Sequence, residues 1–131
     1  MRLACVVAIG ALWLPGYAQP RKMVQVDDSF NGREVNLQVG DTLEISLSEN
    51  ASTGFQWSVP PELKHKFDKV IREREQAVEG SGGLPGKAGV RRLYFDTVAT
   101  GIAELELHYR RHWEREVPPA RNFKLRVRVR K

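Results

Sequence analysis

The chain has 131 residues, a formal net charge of +5 and a single cysteine. That length suits one domain built around one hydrophobic core. Because the one cysteine is Cys5, the body of the chain has no disulfide framework, no catalytic thiol and no cysteine-based zinc site.

The first residues differ from the rest. Met1-Arg2 is a positive start, Leu3 to Leu14 is almost wholly apolar, and Gly16-Tyr17-Ala18 places small residues where a signal peptidase reads. Residues 1–18 therefore read as a secretory signal; the apolar run is too short for a membrane span. The expectation is an exported protein, periplasmic or secreted, whose residues 19–131 form a single domain. Removing 18 of the 131 residues leaves 113, with 20 basic residues against 16 acidic ones and a net charge of +4.

Met23 to Val26 predicts a first strand, and Asn31-Gly32 a turn. Val35, Leu37 and Val39 alternate with polar residues; Gly40-Asp41 then turns the chain into Leu43, Ile45 and Leu47. Period-two alternation around tight turns indicates antiparallel β structure. Asn50 to Gly54 is a polar loop that runs into Phe55, Trp57 and Val59, and Pro60-Pro61 stops that strand. Glu62 to Val78 is ambiguous. Leu63, Phe67, Val70 and Ile71 have helical spacing, whereas the β-rich surroundings favour a long bulged strand after a short turn of helix near Pro61-Glu62. Gly80 to Gly89 holds five glycines and reads as a long flexible loop. Val90 to Val98 is strand-like, with Leu93 and Phe95 on one face, and Thr100-Gly101 turns. Ala103, Leu105, Leu107 and Tyr109 alternate most cleanly. Arg110 to Ala120 is a loop stiffened by Pro118-Pro119. Phe123, Leu125, Val127 and Val129 form the last strand, with Lys124, Arg126, Arg128 and Arg130 on its other face.

Seven to eight strands with turns every eight to twelve residues predict an all-β, immunoglobulin-like β-sandwich. Its loops at 50–54, 80–89 and 110–120 are expected at one end, as a binding edge on a rigid frame.

Chemistry-bearing patterns are sparse. His65, His108 and His112 lack the cysteines or carboxylates of a zinc site. No Gly-x-Ser-x-Gly turn occurs, and the Gly-rich loop lacks the Gly-Lys-Ser/Thr ending of a phosphate loop. Neither an enzymatic activity nor a cofactor is expected. The basic face of the last strand has two readings: a polyanion site, or like charges that protect an edge strand from pairing. Asn50-Ala51-Ser52 fits the glycosylation sequon; a glycan there would block the loop.

The three loops together resemble the chagasin family of cysteine-protease inhibitors. That family's first loop reads Asn-Pro-Thr-Thr-Gly-Phe/Tyr-x-Trp; here Asn50-Ala51-Ser52-Thr53-Gly54-Phe55-Gln56-Trp57 stands in its place. The Gly-x-Gly-Gly loop corresponds to Gly80-Ser81-Gly82-Gly83. The Arg-Pro-Trp loop, after a strand ending in Tyr, corresponds to Tyr109-Arg110-Arg111-His112-Trp113. Order and spacing agree from about residue 22 to residue 130. Ala51 and His112 replace family prolines, and Ala51 removes a φ lock from the first loop.

The resemblance implies an immunoglobulin-like inhibitor that plugs the active-site cleft of papain-like cysteine proteases reversibly. Ser52 and Thr53 would lie nearest the enzyme's catalytic residues, with Asn50 at the loop's start and Gly54 turning at positive φ. Phe55 and Trp57 would hold the base of the loop, Phe55 also being a candidate contact. Gly80, Ser81, Gly82 and Gly83 would run along the non-primed subsites, with Leu84 beside an apolar pocket. Arg111 and Trp113 would lie on the primed side. The implied partner is a papain-like cysteine protease and the implied state a monomer, with no nucleic acid, membrane or metal involved. The alternative is an adhesion or polyanion-binding module that uses the basic last strand.

Overall fold

The computed structural model describes residues 21–79 and 89–131. Its strands are β1 (Met23–Asp27), β2 (Arg33–Gln38), β3 (Thr42–Glu49), β4 (Phe55–Ser58), β5 (Ile71–Glu79), β6 (Gly89–Thr97), β7 (Gly101–Arg111) and β8 (Arg121–Arg130). They form two four-stranded sheets, ordered β1-β3-β6-β5 and β2-β8-β7-β4. Pairing is antiparallel except for β1 with β3 and β2 with β8. This is the expected immunoglobulin-like sandwich.

The alternating residues meet between the sheets. Leu43, Ile45 and Leu47 from β3 and Leu93 and Phe95 from β6 are fully buried, as are Leu107 and Val127 opposite them. Phe67 sits edge-on to Phe95 with ring centroids 5.9 Å apart. Each large apolar side chain buried in this way contributes roughly 1.5–3 kcal/mol against chain entropy. At the end of the sandwich away from residues 50–54, the buried Asp41 accepts the Gln38 N–H at 2.9 Å, and the Thr97 hydroxyl donates to the Asp41 carbonyl at 2.9 Å.

Three expectations need correction. Val39 does not continue β2 as a core residue; it is exposed in the turn before β3. The strand expected over 62–78 is shorter: the turn of helix expected near Pro61-Glu62 is present as a 3-10 helix over Pro61–Lys66, and β5 begins only at Ile71. Phe67, Val70 and Ile71 are buried because tight turns fold them onto the core, with the Val70 and Ile71 N–H groups donating to the Phe67 carbonyl at 2.9 Å. The expected bulge is present as a register shift between Glu73 and Gln76. Finally, β8 is not an edge strand. It lies between β2 and β7, so its outward charges do not protect an open edge. Two of them are paired instead: Arg126 Nε donates to Glu104 at 2.9 Å and Arg128 Nε to Glu34 at 2.8 Å. The Arg128 hydrogen bond holds the Glu34 carboxyl below its usual range. Each paired arginine is one fewer free cation for a polyanion to engage.

Candidate functional site

Residues 50–55 form a self-bonded turn. The Asn50 side-chain oxygen accepts from the Ser52 N–H at 3.2 Å and from the Ser52 hydroxyl at 2.6 Å. The Thr53 hydroxyl donates to the Asn50 carbonyl at 2.7 Å. Such Asx-type bonding fixes the short loop between β3 and β4, and residues Ala51–Thr53 adopt one turn of 3-10 helix. These side-chain bonds stiffen the turn with no proline in it. Ser52 and Thr53 remain exposed at the tip. Gly54 then returns the chain to β4 at φ +83°, a conformation that side chains disfavour.

The base of the turn rests on aromatic rings. The Asn50 N–H donates to the Tyr109 hydroxyl at 3.0 Å. Tyr109 stacks on Phe55 at 5.3 Å and meets Trp57 at 5.0 Å. Trp57 is buried and its indole N–H donates to the Ser48 carbonyl at 2.8 Å, which makes it an anchor, as expected. Phe55 is half-buried, between Tyr109 and the Arg111 guanidinium, whose carbon lies 4.4 Å above the Phe55 ring.

The 111–113 segment locks onto the same turn. Arg111 Nε donates to the Thr53 carbonyl at 2.9 Å, while its guanidinium also approaches Glu114 at 3.5 Å. Trp113 is 59 % exposed, yet its indole lies directly on Gly54: a Cβ added to Gly54 would come within 2.6 Å of Trp113 Cη2. Gly54 is thus required twice, for its positive φ and for the close approach of the indole. The structure brings Asn50, Ser52, Thr53, Gly54, Phe55, Arg111 and Trp113 into one continuous edge. Gly80, Ser81, Gly82, Gly83 and Leu84 lie outside the described residues. The strands that flank them end beside this edge, since Gly89 pairs with Glu49 and Glu79 with Val90.

Beneath the edge lies an ion pair that the motifs do not single out. Arg91 donates to both oxygens of Glu49, at 2.6 and 2.9 Å, and Glu49 also accepts the Trp57 N–H at 2.9 Å. The sequence carries a signal for it: Glu49 is in phase with Leu43, Ile45 and Leu47, and Arg91 with Leu93 and Phe95. A charge in phase with a core face needs a partner there. Arg121 adds a cation over Trp57 and Tyr109, at 5.3 and 5.7 Å from the ring centroids.

A rigid sandwich that displays an exposed tryptophan, small hydroxyl residues and a buttressed turn at one end is a binding module. The chain belongs to the chagasin family, described as Chagasin family peptidase inhibitor I42, whose model matches residues 36–127. It is thus a member of a family of inhibitors, not of enzymes.

Solved structures agree with this fold. The chain is similar to the cysteine protease inhibitor EhICP2 from Entamoeba histolytica, with a TM-score of 0.70 and 18 % identity over 86 % of this chain and 100 % of the other. It is similar to amebosin, with a TM-score of 0.58 and 25 % identity over 86 % and 100 % of the two chains. It also resembles PbICP-C in its complex with falcipain-2, with a TM-score of 0.56 and 18 % identity over 89 % and 96 %. No curated protein sequence matches the chain significantly.

Proposed function

We propose that the protein inhibits papain-like cysteine proteases reversibly by seating the 50–55 and 111–113 edge in the active-site cleft. The observation that carries this reading is the interlock of Gly54, Trp113 and Arg111, which makes the two loops one preformed surface. Preformed surfaces lose little conformational entropy on binding, which favours affinity. Family membership supports inhibition. The description of EhICP2 as a cysteine protease inhibitor and the complex of PbICP-C with falcipain-2 support the class of target.

The chemistry of the tip suits an inhibitor that is not cleaved. Ser52 and Thr53 fill a narrow cleft with small hydroxyl groups. Arg111 Nε ties the Thr53 carbonyl to the neighbouring loop. That bond and the Asn50-centred turn hold the backbone out of the extended form a protease substrate adopts. In this reading the 80–84 segment contacts the protease beside the first loop, and Trp113 supplies the exposed aromatic anchor typical of interface hot spots. Residues 1–18 direct export, so the protein acts outside the cytoplasm, as a monomer.

The test is to incubate papain with the protein and assay a small peptide substrate. Activity should fall in a dose-dependent way and return on dilution, with the inhibitor chain recovered intact. Activity unchanged at micromolar inhibitor, or recovery of a chain cut near residue 53, would overturn the proposal.

A further inference from the structure

Next to the loop edge, a cleft of about 530 Å³ opens beside the 61–66 helix. Pro61 and Glu62 contribute to its lining, as do His108, Arg110, His112 and Arg115. Its charge is unbalanced. Several arginines elsewhere hold carboxylates: Arg91 with Glu49, Arg92 with Glu44, Arg126 with Glu104 and Arg128 with Glu34. Arg110 instead donates to the Arg115 carbonyl at 3.2 Å, and among the described residues neither Arg110 nor Arg115 has an ion-pair partner. His108 is already engaged with Glu106 at 2.8 Å. Two guanidinium groups thus line one cleft in which Glu62 is the one acidic lining residue, with Glu106 behind His108.

The cleft is continuous with the proposed contact edge. His112 lines it and stands edge-on to Trp113, with ring centroids 4.9 Å apart. Trp113 in turn lies on Gly54. A protein seated on the loops therefore also reaches the mouth of this cleft.

We propose that the cleft around Arg110 and Arg115 is an accessory docking site for a carboxylate-bearing segment on the rim of the bound protease. This rests on the inhibitory reading above. A carboxylate entering there gains forked, charge-assisted hydrogen bonds from guanidinium groups that have no ion-pair partner of their own among the described residues. Complementary charge at a contact rim acts mainly on the rate of encounter and on the choice of partner. The site therefore biases the inhibitor toward proteases with an acidic rim.

Two measurements test this. In the first, blocked hexaglutamate is titrated into the protein while the Arg side-chain and His ring NMR signals are followed. Saturable shifts at Arg110, Arg115 and His112 are expected at low salt, and the His112 shift should be lost in an Arg110→Gln, Arg115→Gln variant. Shifts spread equally over Arg126 and Arg130, or a heparin fragment that occupies Arg110 and Arg115 in preference to the peptide, would overturn the proposal. In the second, the association rate with an inhibited protease is followed against salt. The double variant should associate about threefold to tenfold more slowly at low salt, and the difference should vanish near 0.5 M. Equal rates at low salt would overturn the site while leaving inhibition standing. Should the protein inhibit no protease, the inhibitory reading fails, and the peptide titration still decides whether the cleft binds carboxylates.

Discussion

The Glu49 carboxylate and the Arg91 guanidinium share two hydrogen bonds, at 2.6 and 2.9 Å, with side chains only 2 % and 11 % exposed. Glu49 ends β3 and Arg91 lies near the start of β6. Through the Trp57 N–H the same carboxylate also reaches β4, in the other sheet. The pair thus closes the core directly under the loop edge and joins the two sheets there.

Removing one partner leaves a buried charge unpaired. Glu49→Ala is expected to destabilise the protein by about 3 kcal/mol, the lower end for breaking a buried pair because Arg91 keeps some solvent. Urea denaturation of the two proteins checks this. A loss under about 0.5 kcal/mol, the range of an ordinary surface substitution, would show that water replaces the carboxylate freely.

Gly54→Ala separates local from global effects. The new methyl group meets the Trp113 indole at 2.6 Å in a backbone that already disfavours a side chain. The indole must move, and inhibition should weaken by at least about tenfold, equivalent to about 1.4 kcal/mol. Because Gly54 is outside the core, thermal unfolding should shift by only a few degrees. An unchanged inhibition constant would mean that the seat of Trp113 on Gly54 is incidental.

Trp113→Ala removes the exposed ring itself. With 59 % of the residue in solvent, stability should change by less than about 0.5 kcal/mol. Binding should lose about 2 kcal/mol, the hot-spot threshold. Equal losses in stability and binding would make Trp113 a structural residue.

Acid should weaken the fold in part through Glu44. Burial alone would raise its carboxyl pKa, but hydrogen bonds from Gln25 and Arg92 and the Arg92 charge outweigh burial and leave it lowered. A carboxyl lowered in the folded state adds stability above its unfolded pKa, and that stability is lost as pH falls through the folded value. Stability should therefore decline as pH drops below the ordinary glutamate range, near about 4.3. Glu44→Gln should flatten that part of the profile. A profile identical to that of the wild type between pH 5 and pH 2 (about one to two units either side of a glutamate) would remove Glu44 from this role.

Much of this was legible in the residues. Period-two alternation locates the core faces of β3, β7 and β8, and Gly54 announces its positive φ through its place in the turn. What local pattern does not carry is which strands become neighbours. The basic stripe of β8 therefore suggests an edge, while the fold buries that strand between β2 and β7 and sets Glu34 and Glu104 beside its arginines. Long-range packing has the same character. Trp113 reads as an exposed anchor, but its seat on Gly54 arises only when segments 59 residues apart converge. Glu49 and Arg91 were detectable as charges in phase with apolar faces. Their pairing with each other, and with Trp57, required the strand order.

The most direct test of the account is protection of the target's active-site thiol. Papain is mixed with the protein and then challenged with an epoxysuccinyl label that alkylates the catalytic cysteine. Labelling should slow in proportion to the complex formed, with an apparent dissociation constant below about 1 μM, as expected for a preformed interface of standard size. A complex that forms while labelling proceeds at the free-enzyme rate would contradict occupation of the cleft by the 50–55 and 111–113 edge.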